Sequence, residues 1–203
     1  MRAYRLVAGA VLAVLLAGGA PAKEPQEVVD EAVQKVLKII ATPEFKDAEP
    51  AKKREMHEQI RSVLLDVADM KGISSLCLAT FRKKFSDEQF EKFNGLFSRL
   101  LFATYVSHFD KYVDQKVVVA DTKKTDDAKA VVSTKVISDT GEIPIEYSLS
   151  KQGDTWKLYD VRVEGVSLVM NYRSQFREIL INSTVDKFLK RLEEKVKKNE
   201  ENL

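Results

Sequence analysis

The chain has 203 residues, of which 33 are Lys or Arg, 31 are Asp or Glu and 44% are hydrophobic, with only 8 glycines and 5 prolines. That length suits one domain with a sizeable core, and the apolar content excludes a disordered chain. Arg2 and Arg5 account for the whole positive excess, so residues 23–203 are neutral overall, unlike a general nucleic-acid binder with its basic excess.

The N-terminal segment reads as a secretory signal peptide over residues 1–22. Arg2 and Arg5 form its positive end, Leu6 to Ala17 is an uncharged apolar run, and Ala20-Pro21-Ala22 is the small-x-small pattern of a cleavage site. The run is too short to span a bilayer, which takes about 20 apolar residues. No Cys follows it to take a lipid anchor. The expected mature chain, residues 23–203, is a single domain that leaves the cytoplasm and is free in solution.

Helical spacing comes next. Val28, Val29, Ala32, Val33, Val36, Leu37 and Ile40 recur on one face, and Thr42-Pro43 stops the segment. A second helix is predicted over Pro50–Val67, with Met56, Ile60, Val63, Leu64 and Val67 as its stripe. Gly72 is read as breaking or bending the chain before a third stretch, Ile73 to Phe81. Ser86-Asp87-Glu88-Gln89 has the form of a capping box. It opens the longest helix, to about Tyr112, which carries Phe90, Phe93, Phe97, Leu100, Leu101, Thr104 and Tyr105 on one wide face.

The period then changes from 3.6 to 2. Residues 115–120, 129–137, 143–151 and 155–164 are predicted strands, with Thr140-Gly141 and Gln152-Gly153-Asp154 as turns. Such short connections favour an antiparallel meander. Ile143, Ile145, Tyr147 and Leu149 alternate with Pro144, Glu146, Ser148 and Ser150, and Tyr159, Val161 and Val163 with Leu158, Asp160 and Arg162, so one sheet face is apolar and needs a cover of helices. Val166–Val169 leads into a helix from Asn171 to Ile181. Asn182-Ser183-Thr184 ends that helix and caps another, from Val185 to about Lys198, beyond which the charged end is expected to fray. The fold class is α+β: a four-stranded antiparallel sheet covered by N- and C-terminal helices.

Catalytic equipment is sparse. His57 and His108 are the only histidines, and neither has a metal-ligand partner at i+3 or i+4. Cys77, the single cysteine, lies in the apolar run Leu76-Cys77-Leu78, where a buried space-filler is the ordinary reading. No GxSxG, HExxH, Walker or Rossmann pattern occurs. What remains is an aromatic helix facing an apolar sheet. That pair can enclose a ligand cavity or pack into a solid core, and the residues alone leave both open.

The segment Val161-Arg162-Val163-Glu164-Gly165-Val166-Ser167-Leu168-Val169-Met170-Asn171-Tyr172-Arg173-Ser174-Gln175-Phe176 resembles the signature of the periplasmic phospholipid-binding family of the Mla pathway, the MlaC or toluene-tolerance family. The flanks Ile143-Pro144-Ile145-Glu146-Tyr147 and Trp156–Val161 fit as well, and so does Leu100–Tyr105. Ala79 and Arg82 stand where the family often has Gly and Trp, and Ser86-Asp87-Glu88 replaces its usual Thr-Pro-Glu.

The resemblance implies a cone related to the NTF2-like fold with an apolar pocket for acyl chains. It implies a periplasmic carrier of phospholipid, without catalysis, in a Gram-negative pathway of outer-membrane lipid asymmetry. The implied partners are an inner-membrane ABC transporter with an MCE-domain subunit and an outer-membrane lipoprotein–porin complex. A monomer with no cofactor and no metal is expected. The expected lipid-binding residues are Val67, Met70, Ile73, Phe97, Leu101, Tyr105, Tyr147, Val163, Val166, Leu168, Val169 and Tyr172, with Tyr172 at the pocket mouth and Arg173 either beside it or a structural hydrogen-bonding residue. The alternatives are an enzyme working inside the cone and an adaptor with a filled core. Protein released by osmotic shock is expected to begin at Lys23, which intact-mass measurement checks; an uncleaved Met1 in washed membranes would contradict it.

Overall fold

The computed structural model describes residues 23–45, 48–109, 116–138 and 141–201, so the expected signal segment lies outside the described residues. Among the described residues six α-helices and five strands follow one another: α1 (Pro25–Ile40), α2 (Pro50–Val67), α3 (Met70–Leu78), α4 (Asp87–Phe109), β1 (Lys116–Asp126), β2 (Lys129–Ser138), β3 (Gly141–Gln152), β4 (Thr155–Val163), β5 (Val166–Ser167), α5 (Leu168–Ile181) and α6 (Val185–Glu200). Short 3₁₀ segments lie at Pro43–Phe45 and Ala79–Lys84. The strands form one antiparallel meander in the order β1-β2-β3-β4-β5.

The sheet has one strand more than the four expected. Glu164 and Gly165 have φ of 50° and 81°, the two positive values that a tight type I′ hairpin requires. The chain therefore turns back at once, and Val166 pairs with Val163. β1 also runs beyond Ala120, to Asp126, carried past two irregularities in its register with β2.

Local capping chemistry sets the helices. At the start of α4 the Gln89 amide donates to Ser86 Oγ at 3.1 Å and the Ser86 amide donates to Gln89 Oε1 at 3.0 Å, the reciprocal pair predicted from the sequence. Thr184 accepts from the Lys187 amide and starts α6. Gly72 does not break the chain; it lies inside α3. The break falls at Ala68-Asp69, where the Asp69 amide donates to Leu158 O of β4 at 2.8 Å. Asp69 then caps α3 by accepting from the Gly72 amide at 2.9 Å. A Cβ on Gly72 would sit 2.1 Å from Asp69 Oδ2, so the glycine makes room for the cap.

Two cores dominate. In the first, α3, α4, α5 and α6 gather the aromatic rings: Phe93 stacks on Phe97 at 5.4 Å, and Phe176 meets Phe93, Phe97 and Phe188 edge-on at 5.5, 5.1 and 5.3 Å. These are favoured aromatic geometries that add to simple burial. In the second, Val36 and Ile40 of α1 meet Met56 and Ile60 of α2, with Phe109 from the end of α4 against them. α4 thus reaches from one core to the other. α6 runs parallel to it, joined by Gln89–Asp186, Lys92–Glu193 and Arg99–Glu200. The charged C-terminal segment is helical to Glu200, with Val196 buried.

Ala79 ends α3 with φ 49° and ψ −124°, a conformation in which a Cβ is disfavoured. Arg82, three residues on, lays its guanidinium 4.0 Å from the centre of the Phe90 ring and donates to Phe85 O. The backbone at residue 79 is shaped for glycine. Ala79→Gly is therefore expected to stabilise the protein by about 1 kcal/mol in denaturant unfolding; a loss of stability would show that the left-handed backbone is relieved in some other way.

Candidate functional site: a half-covered apolar sheet face

Residues paired across an antiparallel ladder share a face. The register therefore places Ala130, Val132, Thr134 and Val136 of β2 beside Leu149, Tyr147, Ile145 and Ile143 of β3. Leu158, Val161 and Val163 of β4 follow on the same face. A register shift at Ser148/Leu149 keeps Leu158 and Val161 together on that face although they are three residues apart.

α1 covers one half of this face. Val28, Val29 and Val33 pack on Ala130, Val132, Leu149, Trp156 and Leu158, with Val119 and Tyr147 at the margin. The start of α1 is fixed over β1 by Lys124–Glu24 at 2.5 Å and by Thr122–Gln26 at 3.2 Å. The other half holds Thr134, Val136, Ile143, Ile145, Val161 and Val163 and belongs to none of the three cores. Ile143, Ile145 and Val161 are only half-buried. Thr134 adds a buried hydroxyl without a hydrogen-bond partner. The helices that approach the sheet closely are α1, α2, α3 and α5.

The junction of β4 with α5 is fixed by a buried carboxylate. Asp160 Oδ2 accepts from Ser167 Oγ at 2.7 Å, and Oδ1 accepts from the Val169 amide at 3.1 Å. Ser167 Oγ accepts in turn from the Met170 amide at 3.0 Å. A negative charge and a hydroxyl thus satisfy two free donors of the first turn of α5. This is why α5 begins at Leu168, three residues before the predicted Asn171. The pairing of Asp160 was not read from the sequence; the Asp160…Ser167 spacing becomes meaningful only once the Glu164-Gly165 turn folds β5 back.

The expected lipid-binding residues divide into three groups. Val67, Met70, Ile73, Leu101, Tyr105, Tyr147 and Leu168 are half-buried and apolar. Among these, Ile73, Leu101 and Tyr105 lie at the border of the aromatic core and Tyr147 at the border of the α1 core. Val163 and Val166, cross-strand partners at the hairpin, are 36% and 59% exposed. Phe97, Val169 and Tyr172 sit inside the aromatic core, because α4 turns its Phe93/Phe97 face to α5 and α6. The Tyr172 ring meets Phe97 edge-on at 5.1 Å and its hydroxyl bonds Tyr105 and Thr104. Burial first, and then the Tyr105 phenol, raise the Tyr172 hydroxyl well above its ordinary pKa, so it stays protonated. Ile143, Ile145 and Val161 were legible as an apolar alternation, but only the register brings them together.

Two further groups have structural duties. Arg173 Nε donates to Leu76 O at 2.9 Å and holds α5 to α3, the hydrogen-bonding alternative of the two foreseen. Cys77 is buried, 3.7 Å from Val169 O. Burial, helped by Asp160, pushes its thiol up to about 12, which leaves it a poor nucleophile at neutral pH. Among the described residues no group of three or more His, Cys, Asp or Glu could hold a metal, and no helix is long and apolar enough to cross a membrane.

The architecture is an antiparallel sheet half-covered by one helix and flanked by an aromatic helical cluster. The model of the MlaC protein family matches residues 30–194, and the chain belongs to that family. It is 27% identical over 161 residues to the toluene tolerance protein ttg2D of Pseudomonas putida, covering 78% of this chain and 74% of that protein. It is 24% identical over 140 residues to the intermembrane phospholipid transport system binding protein MlaC of Haemophilus influenzae, covering 66% of this chain and 65% of that one. The fold is shared with a phospholipid-binding protein from Ralstonia solanacearum solved in complex with a phospholipid. The TM-score is 0.76 at 24% identity, over 89% of this chain and 99% of the other.

Asp160→Ala removes the acceptor of one hydroxyl and one amide. It is expected to cost about 1–3 kcal/mol in chemical denaturation, and Ser167→Ala about 1 kcal/mol. Unchanged stability in both variants would show that the β4–α5 junction is held by other contacts.

Proposed function

We propose that this chain is a periplasmic phospholipid carrier that holds acyl chains against the uncovered half of the sheet face and releases the lipid chemically unchanged. The observation that carries the reading is that apolar face itself: Ile143, Ile145 and Val161 point to one side, outside every core cluster, in a chain of the MlaC family. A relative named for intermembrane phospholipid transport, and a shared fold in a lipid-bound protein, support it. In this reading Ile143, Ile145, Val161 and Val163 form the floor. Val67, Met70 and Ile73 form one wall, and Leu101 and Tyr105 of α4 form the roof.

A soluble carrier has to replace the hydrocarbon of the bilayer. Each buried methylene is worth about 0.8 kcal/mol, so one sixteen-carbon chain is worth on the order of 12 kcal/mol. Exposure of such a chain to water is prohibitive, whereas exchange between two apolar environments is nearly balanced. The carrier then needs no energy source of its own. Direction comes from membrane complexes, in this reading an inner-membrane ABC transporter with an MCE-domain subunit on one side and an outer-membrane lipoprotein–porin complex on the other. The inert Cys77 and the apolar lining fit binding without bond cleavage.

Ile145→Trp tests the reading. In a filled core this enlargement costs typically about 1–3 kcal/mol. In a ligand space it is expected to leave the melting temperature of delipidated protein nearly unchanged while native mass spectrometry shows the bound phospholipid lost. A strongly destabilised variant, beside a wild type that carries no lipid, would mean a packed core and an adaptor; lyso-products in the wild-type extract would mean an enzyme.

A further inference from the structure

A second site of different chemistry lies where α2 and α4 meet the end of α6. It is a half-open cleft of about 280 Å³. The guanidinium groups of Arg54, Arg61 and Arg99 line it, with the carboxylates of Glu58 and Glu200 and the ring of Phe102; His57 also borders it. Arg54, Glu58 and Arg61 are spaced i, i+4, i+7, so one face of α2 presents them together.

Both carboxylates are already engaged. Arg99 grips Glu200 with Nε and Nη2 at 2.8 and 2.6 Å. That paired hydrogen bond holds the Glu200 carboxyl below its ordinary pKa. Glu58 takes Arg61 Nη1 at 3.2 Å. Among the described residues that line the cleft, three guanidinium groups stand against two carboxylates, and some of their donors are left over. Arg61 Nε is buried and meets no acceptor. Its guanidinium is held 5.8 Å from the centre of the Phe102 ring, which restricts the directions in which it can seek one. Among the described residues no carboxylate pairs with Arg54. Arg99 spends only two of its three nitrogens on Glu200.

We propose that this cleft binds a phosphate-type oxyanion, free or as a phospholipid headgroup, on the guanidinium groups of Arg54, Arg61 and Arg99. Planar guanidinium groups match such oxygens with short, charge-assisted hydrogen bonds. Donors from two helices, α2 and α4, suit an anion with several oxygens better than a single carboxylate. The site stands on its own observations and does not depend on the carrier reading.

The test titrates the full chain with inorganic phosphate and, separately, with phosphatidylglycerol and phosphatidylcholine vesicles. Arg54→Gln removes an unpaired cation and should fold normally. Lys53→Gln makes the same charge change one residue away, outside the cleft lining. Saturable phosphate binding by calorimetry, weakened about tenfold by Arg54→Gln and unchanged by Lys53→Gln, assigns a free phosphate. Binding to phosphatidylglycerol vesicles alone, with the same dependence on Arg54, assigns a lipid headgroup. No binding of either probe, or equal weakening by the two substitutions, overturns the proposal.

Discussion

The carboxylate of Asp160 is the contact on which the arrangement depends. It ties β4, through Ser167 Oγ and the Val169 amide, to the first turn of α5. α5 carries Tyr172 and Phe176 into the aromatic core, and Arg173 fastens α5 to the end of α3. A buried carboxylate is costly unless its oxygens are satisfied, and here a hydroxyl, an amide and the positive end of a helix share that task. The helical cluster is thereby anchored at the β4–β5 edge of the sheet. The broad apolar face keeps α1 as its main cover, and α1 reaches only half of it.

That half-cover separates two kinds of apolar residue that look alike in sequence. Val132, Leu149 and Trp156 are buried by α1 and contribute to stability in the usual way. Ile143, Ile145 and Val161 are just as apolar and lie on the same face, yet they stay half-exposed and outside the cores. A folded protein tolerates such a surface when something apolar covers it, and in the carrier proposal an acyl chain is that cover.

Much of the fold was legible because local physics repeats along the chain. The Ser86–Gln89 capping box, the Pro50 start of α2, the Thr184 cap and the period-2 strands each rest on nearest-neighbour chemistry. The misses arose where a long-range partner decides. Gly72 looked like a helix breaker and is the residue that lets Asp69 cap α3. Leu168 to Met170 lay outside the predicted helix and are helical because Asp160, eight residues before Leu168, accepts the Val169 amide and Ser167 Oγ that of Met170. Phe97 and Tyr172 carry the right chemistry for an apolar pocket but face the other helices, which a helical period alone does not distinguish. The β-bulge at Ser148/Leu149 has no sequence signature, and without it Val161 cannot be placed beside Tyr147.

The central claim is that acyl chains lie on the far half of the sheet face. A phospholipid carrying a photoreactive diazirine near the end of one acyl chain tests it most directly, when it is loaded into the delipidated protein, irradiated and mapped by peptide mass spectrometry. The account predicts crosslinks on β3 and β4 at Ile143, Ile145 and Val161, with further sites at Leu101 and Tyr105 of α4. Crosslinks confined to the outer surface, or a protein that takes up no probe, would contradict it.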